Sequence, residues 1–171
     1  MIAFAVFLSV VAAALFQVSV APLFPISGAI VDVALLTLFA LAFTAGPRRA
    51  MIAMPFLALL VAFTSNRAPG LLIVAYLPLL PLAYLFEGGH LPLSRYVRIL
   101  AAVLLAGLWA RLVLSTGALL EGAAFQPGAL VMDVLLPGLL LDAVFGTLVY
   151  VPFRVVGWTN RPLTLQRTTG W

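Results

Sequence analysis

The sequence has no cysteine, a single histidine and charged side chains at only 8% of its 171 positions. The absence of cysteine excludes disulfides and thiolate metal sites. The lone histidine, His90, stands in a Gly-Gly-His-Leu-Pro stretch with only Glu87 close to it in sequence. A single imidazole in such a stretch is typical of a loop residue rather than of a catalyst or metal ligand.

Motifs that carry enzyme chemistry are also missing. The sequence has no Gly-x-Ser-x-Gly elbow, no glycine-rich phosphate loop followed by lysine, and no carboxylate cluster with metal-binding spacing. It has no basic patch interleaved with aromatic residues, which argues against nucleic-acid binding. We therefore expect a protein that is not an enzyme and has no catalytic residue, cofactor or metal.

Apolar residues, in contrast, make up 65% of the chain, and its mean hydropathy is +1.24. Runs of about 20 apolar residues are long enough to cross the hydrocarbon core of a bilayer as helices. The pattern predicts an all-α, polytopic bundle of about six transmembrane helices over residues 1–157, followed by a short cytoplasmic tail at 158–171. The expected helices cover residues 1–20, 28–45, 50–64, 69–86, 96–116 and 128–151.

Two of these runs need comment. Met1 to Leu15 carries no charge and is apolar for longer than the core of a signal peptide, which favours a retained membrane helix. Pro78 and Pro81 interrupt the fourth run and predict a kink, because proline removes a backbone donor and clashes with the preceding turn.

The arginines predict the orientation of the bundle, because basic residues near helix ends are retained on the cytoplasmic side. With six spans, seven arginines fall on the side that holds both termini, and Arg67 alone falls on the opposite side. We therefore expect a multi-pass membrane protein with both termini on the cytoplasmic side. The seven are Arg48, Arg49, Arg95, Arg98, Arg154, Arg161 and Arg167.

A few charged residues fall at membrane depth, where each is costly and needs a partner or a purpose. Asp32 and Asp133 stand near the starts of two predicted helices, where they either complement the positive helix terminus or make a functional contact. Asp142 lies in the middle of the last helix. It is either a neutral acid that is hydrogen-bonded within the bundle, or part of a buried contact with a partner or a small molecule. Arg111 either extends outward to the headgroups or, as we expect, pairs with Asp133 at similar depth.

The first helix carries small residues, Ala5, Ser9 and Ala13, at intervals of four. They share one helix face and permit close approach of another backbone, either within the bundle or from a partner protein. Gln17, near the end of this helix, is placed to bond a neighbouring helix or to reach the interface.

A set of motifs lies in and between the first two predicted helices: Gln17, Pro22 and Pro25, Gly28 to Asp32, and Gly46-Pro47-Arg48. These motifs resemble the rod-shape-determining membrane protein family MreD. The resemblance extends to length, number of spans and cytoplasmic termini, and it implies a location in the bacterial cytoplasmic (inner) membrane. The chain departs from the family at Val31, where the family has proline, and at Asn66, where the family has aspartate.

The resemblance implies a non-enzymatic membrane scaffold of the bacterial cell-elongation machinery. Such a scaffold would bind the single transmembrane helix of an MreC-type partner and, through it, act on the peptidoglycan polymerase and transpeptidase pair. An alternative is the substrate-binding S component of a vitamin or metal transporter of the ECF type, which has similar size and six helices. That alternative requires a polar pocket near the outer face, which the short outer loops and few polar residues disfavour. An intramembrane enzyme is a third alternative, disfavoured because no general acid-base pair is present.

Overall fold

A computed structural model describes residues 2–23, 25, 30–87, 94–122 and 126–155. All the regular elements among these residues are helical, as the sequence predicted. The tail at 158–171 and His90 lie outside the described residues. The elements are α1 (Ile2–Ser19), a 3-10 turn (Ala21–Leu23), α2 (Val33–Thr44), α3 (Pro47–Ser65), α4 (Pro69–Tyr76), α5 (Leu79–Glu87), α6 (Arg95–Leu120), α7 (Pro127–Ala129), a π-helix (Leu130–Leu135) and α8 (Leu136–Val155).

Four helical stretches among the described residues are long and apolar enough to cross a membrane. Two further apolar helical stretches, Val33–Thr44 and Pro69–Tyr84, are shorter. The six helical segments follow the expected order, and this part of the prediction is confirmed. The four long stretches are Phe4–Leu23, Pro47–Ser65, Tyr96–Leu120 and Pro127–Pro152.

Helix α2 lies at the centre of the bundle, where it packs against α1, α3, α5, α6 and α8. Leu35 and Leu38 on this helix are completely buried. The predicted helix over 28–45 was too long, because Asp32 caps α2 and the helix starts only at Val33. Its 12 residues give a length of about 18 Å, well short of the ~30 Å hydrocarbon core.

Proline causes two irregularities. The fourth predicted helix is broken at Leu77 and Pro78 into α4 and α5, which confirms the interruption, and Pro81 falls in the first turn of α5, where proline is tolerated. The π-helix lies just before Pro137, and the Leu136 N–H donates to the Val131 carbonyl five residues back. Pro137 has no N–H to donate to the carbonyl of residue 133. The wider π-helical turn accommodates the loss of this backbone hydrogen bond.

The end of the bundle where α1, α3 and α6 finish is called the upper end below. Helices α2 and α4 begin there and run in the opposite direction. Helix α1 packs against α2 and α3, and α8 packs against α2 and α6. Helix α2 is therefore the element that lies between α1 and α8.

Candidate functional site

The start of α2 is held by two polar side chains at the upper end. Asp32 is the N-cap residue, and its Oδ1 accepts a hydrogen bond of 2.9 Å from the Leu35 N–H. The predicted role of Asp32 at a helix terminus is thus confirmed. Four N–H groups at a helix start lack partners within the helix, and a capping carboxylate satisfies one of them.

Gln17 of α1 binds the same helix start. Its Oε1 accepts from the Val33 N–H at 2.7 Å and from the Ala34 N–H at 3.3 Å, and its Nε2 donates to the Val31 carbonyl at 3.3 Å. The prediction that Gln17 bonds a neighbouring helix is confirmed. A single amide therefore satisfies further donors of α2 and fixes α1 beside it.

Tyr76, at the end of α4, joins this cluster. Its hydroxyl donates to Asp32 Oδ1 at 3.3 Å, and its side chain is buried. The Asp32 carboxylate thus connects α2 with α4, while Gln17 connects α1 with the backbone at the same helix start. Tyr76 was not predicted as a site residue. It lies 44 positions from Asp32 in the sequence, so no local pattern indicates that the two side chains meet.

Arg111 of α6 and Asp142 of α8 form a buried ion pair deeper in the bundle. Arg111 is 8% exposed and Asp142 is completely buried. The guanidinium also donates to the Gly107 carbonyl at 3.2 Å and to the Gly138 carbonyl at 2.9 Å. Each charge thus has an opposite charge beside it in the interior, while Asp142 Oδ1 is buried without a hydrogen-bond partner among the described residues.

This pairing corrects two predictions. Arg111 does not extend outward, and its ionic partner is not Asp133. Asp133 lies in the π-helix and is exposed. The prediction assumed regular helices on both sides of the turn, whereas the π-helix changes the direction of the residues ahead of Pro137, and the long arginine side chain reaches further down α8.

Two glycines provide the space for the ion pair. A Cβ at Gly138 would collide with the Arg111 guanidinium, and a Cβ at Gly107 would collide with the Asp142 carboxylate and lie 3.0 Å from Arg111 Nη1. Gly107 precedes Arg111 by four residues, and Gly138 precedes Asp142 by four, so each glycine shares a helix face with one charge. This four-residue spacing between a glycine and a charge on each helix is a signal for the ion pair that is present in the sequence.

The upper end also contains a cavity of about 450 Å³. Its polar lining comes from α1, α4 and α6, from the start of α2 and from the C-terminal end of α3. Apolar residues such as Leu72 complete the wall. This volume lies within the range of small-molecule pockets. The polar residues that matter for its chemistry are Gln17, Asp32, Arg67, Tyr76, Arg111 and Ser115.

The structure divides the predicted small-residue face of α1. Ala13 is buried in the bundle, whereas Ala5 is exposed, and the Ser9 hydroxyl donates to the Ala5 carbonyl at 2.8 Å. Ala12, on the outward side, is also exposed. Ala13 therefore serves internal packing, and Ala5 with Ala12 forms an outward notch of small residues.

Within the described ranges, no group of three or more histidine or acidic residues is placed to hold a metal ion. Comparisons with protein families, with curated proteins and with solved structures gave no match to this chain.

Proposed function

We propose that the chain is a six-span protein of the bacterial inner membrane with both termini in the cytoplasm. The four long apolar helices support this topology, and α2 and the α4–α5 segment supply the two shorter crossings. The arginine distribution supports the orientation, because Arg67 is the one arginine among the predicted outer connections. The upper end of the bundle is then the outer end.

Within that membrane, we propose a non-enzymatic scaffold of the cell-elongation machinery that binds an MreC-type single-span protein. The observation that carries this proposal is the contact of Gln17 with the start of α2 beside Asp32. Both residues belong to the motifs that resemble MreD, and they form one structural unit although 15 positions separate them. Two of the resembling motifs therefore meet at the start of α2.

The proposed docking surface is the outward face of α1. One face of this helix packs into the bundle, where Val10, Ala13 and Ala14 are buried. The opposite face carries the notch formed by Ala5 and Ala12, and small residues permit a partner helix to approach closely in a membrane.

Substitutions in the notch test this docking. The protein is co-expressed with the MreC-type protein encoded in the same genome and purified in mild detergent. Ala5→Leu and Ala12→Leu together should greatly reduce recovery of the partner while leaving thermal stability unchanged, since both positions are exposed. Thr116→Leu, a bulky change at an exposed position of α6, is the matched control. Full recovery with the double variant would contradict the docking surface.

The cavity favours one alternative function, that of an ECF-type S component. Its position at the upper end and its volume of about 450 Å³ meet the requirement for a polar pocket near the outer face. Co-expression with an energising ATPase module distinguishes the two functions. A stable complex with that module, and none with the MreC-type protein, would favour the carrier.

A further inference from the structure

Part of the wall of the upper cavity is exposed at the surface of the bundle. Two of its lining residues, Ile30 and Val134, are each 39% exposed. Ile30 precedes the start of α2, and Val134 belongs to the π-helix next to α8. Both residues therefore belong to the cavity wall and to the outer surface of the bundle, as expected at the rim of an opening.

The short central helix contributes to this opening. Helix α2 packs against both α1 and α8, and its first residue is Val33. Ile30, which lines the cavity ahead of this helix, is not helical. In the proposed topology, the exposed apolar side chains of Ile30 and Val134 face the outer leaflet.

The cavity is lined by polar groups of opposite charge. Arg67 is exposed just after the end of α3 and lines the cavity. Asp32 lies at the start of α2, where Leu35 and Tyr76 donate to its Oδ1. Ser115, on α6, also lines the cavity. The cavity thus offers cationic and hydroxyl donors together with a carboxylate acceptor.

We propose that the upper cavity binds the headgroup of an anionic phospholipid with free hydroxyl groups, which enters sideways from the outer leaflet. A guanidinium is well suited to a phosphate oxygen, so Arg67 binds the phosphate. The Asp32 carboxylate repels the phosphate and accepts a hydrogen bond from a headgroup hydroxyl. Phosphatidylglycerol has both features, whereas phosphatidylcholine has no hydroxyl or ammonium donor. This proposal goes beyond the scaffold function but rests on the proposed topology, which the cysteine-labelling experiment tests separately.

The test measures lipid retention on the purified chain without any partner protein. The protein is reconstituted in nanodiscs that contain equal amounts of phosphatidylglycerol and phosphatidylcholine, released into the gas phase, and analysed by native mass spectrometry. We expect the wild type to retain one phosphatidylglycerol in preference to phosphatidylcholine. Arg67→Gln should weaken that retention about tenfold, because it removes a charge-assisted contact with phosphate. Arg48→Gln, at the opposite end of α3 and also exposed, should retain the lipid.

A second pair of variants tests the cavity by its volume. Ser115→Leu places a bulky side chain in the cavity and should exclude the lipid, whereas Thr116→Leu adds the same side chain at an exposed neighbouring position. Retention equal to that of the wild type in both Arg67→Gln and Ser115→Leu would overturn the proposal, and so would equal loss in all four variants. Competition with soluble glycerol 3-phosphate identifies the source of the ligand. If the soluble ester binds as well as the lipid, the membrane origin is wrong.

Discussion

Arg111 and Asp142 face each other across α6 and α8 as an ion pair inside an otherwise apolar bundle. Each charge alone would be costly at this depth, and together they satisfy one another and two glycine carbonyls. The same arginine lines the upper cavity. The pair therefore both links two helices and supplies part of the cavity wall.

Removing one charge of this pair should destabilise the bundle strongly. Arg111→Gln leaves Asp142 as an unpaired carboxylate in the interior, and we expect a loss of about 3 to 5 kcal/mol. The loss is measured by reversible unfolding in mixed detergent micelles. The double variant Arg111→Gln with Asp142→Asn should be more stable than the sum of the single changes predicts, because no uncompensated charge remains.

The same double-mutant cycle distinguishes the two candidate partners of Arg111. We expect a coupling free energy larger than about 0.5 kcal/mol for Arg111 with Asp142, and none beyond error for Arg111 with Asp133, which is exposed on the π-helix. Coupling to Asp133 alone would contradict the structure of this pair.

The glycines beside the pair should not tolerate alanine. Gly107→Ala and Gly138→Ala each place a methyl group against the charged side chains, and we expect losses of at least about 1 to 3 kcal/mol from overpacking. The matched control is Gly70→Ala, since an added Cβ at that helical glycine meets nothing within 4 Å. If Gly138→Ala unfolds at the same temperature as Gly70→Ala, the close approach of α6 and α8 is wrong.

Gln17 should contribute measurably to stability through the start of α2. Gln17→Leu preserves much of the side-chain volume but removes the acceptor of the Val33 and Ala34 N–H groups. We expect a loss of about 1 to 3 kcal/mol, the usual effect of leaving such donors without a partner. Ser19→Ala, an exposed polar change on the same helix, should have little effect. Equal thermal stability of the two variants would show that these bonds contribute nothing.

The orientation can be tested by single-cysteine labelling, for which the cysteine-free sequence is a suitable background. Cysteines at Arg49 and Arg98 should react with a membrane-impermeant reagent only after the membrane is opened. A cysteine at Glu121 should react in intact cells, because the arginine distribution places this turn outside. Labelling of position 121 only from the inside would refute the proposed topology.

Local signals in the sequence accounted for much of the fold. Apolar runs predicted the helical segments, proline predicted the break at Pro78, and Asp32 was expected at the terminus of a helix, where it caps α2. Gln17 was expected to bond a neighbouring helix, and it does. In each case, the residues responsible act within one helix or on the next helix in the chain.

The site was less predictable because its contacts depend on helix packing. Counting residues from the turn assigned Arg111 to Asp133, but that count assumed uniform helical geometry and missed the π-helix before Pro137. Tyr76 reaches Asp32 only because α4 packs into the upper end of the bundle. The division of the α1 stripe into buried Ala13 and exposed Ala5 likewise depends on which face meets α3.

The central functional claim is tested most directly by tagging the chain in the organism that produces it and purifying it in mild detergent. The scaffold proposal predicts that the MreC-type single-span protein co-purifies, together with the peptidoglycan polymerase and transpeptidase pair. A complex with an energising ATPase module, and none with the MreC-type protein, would contradict it.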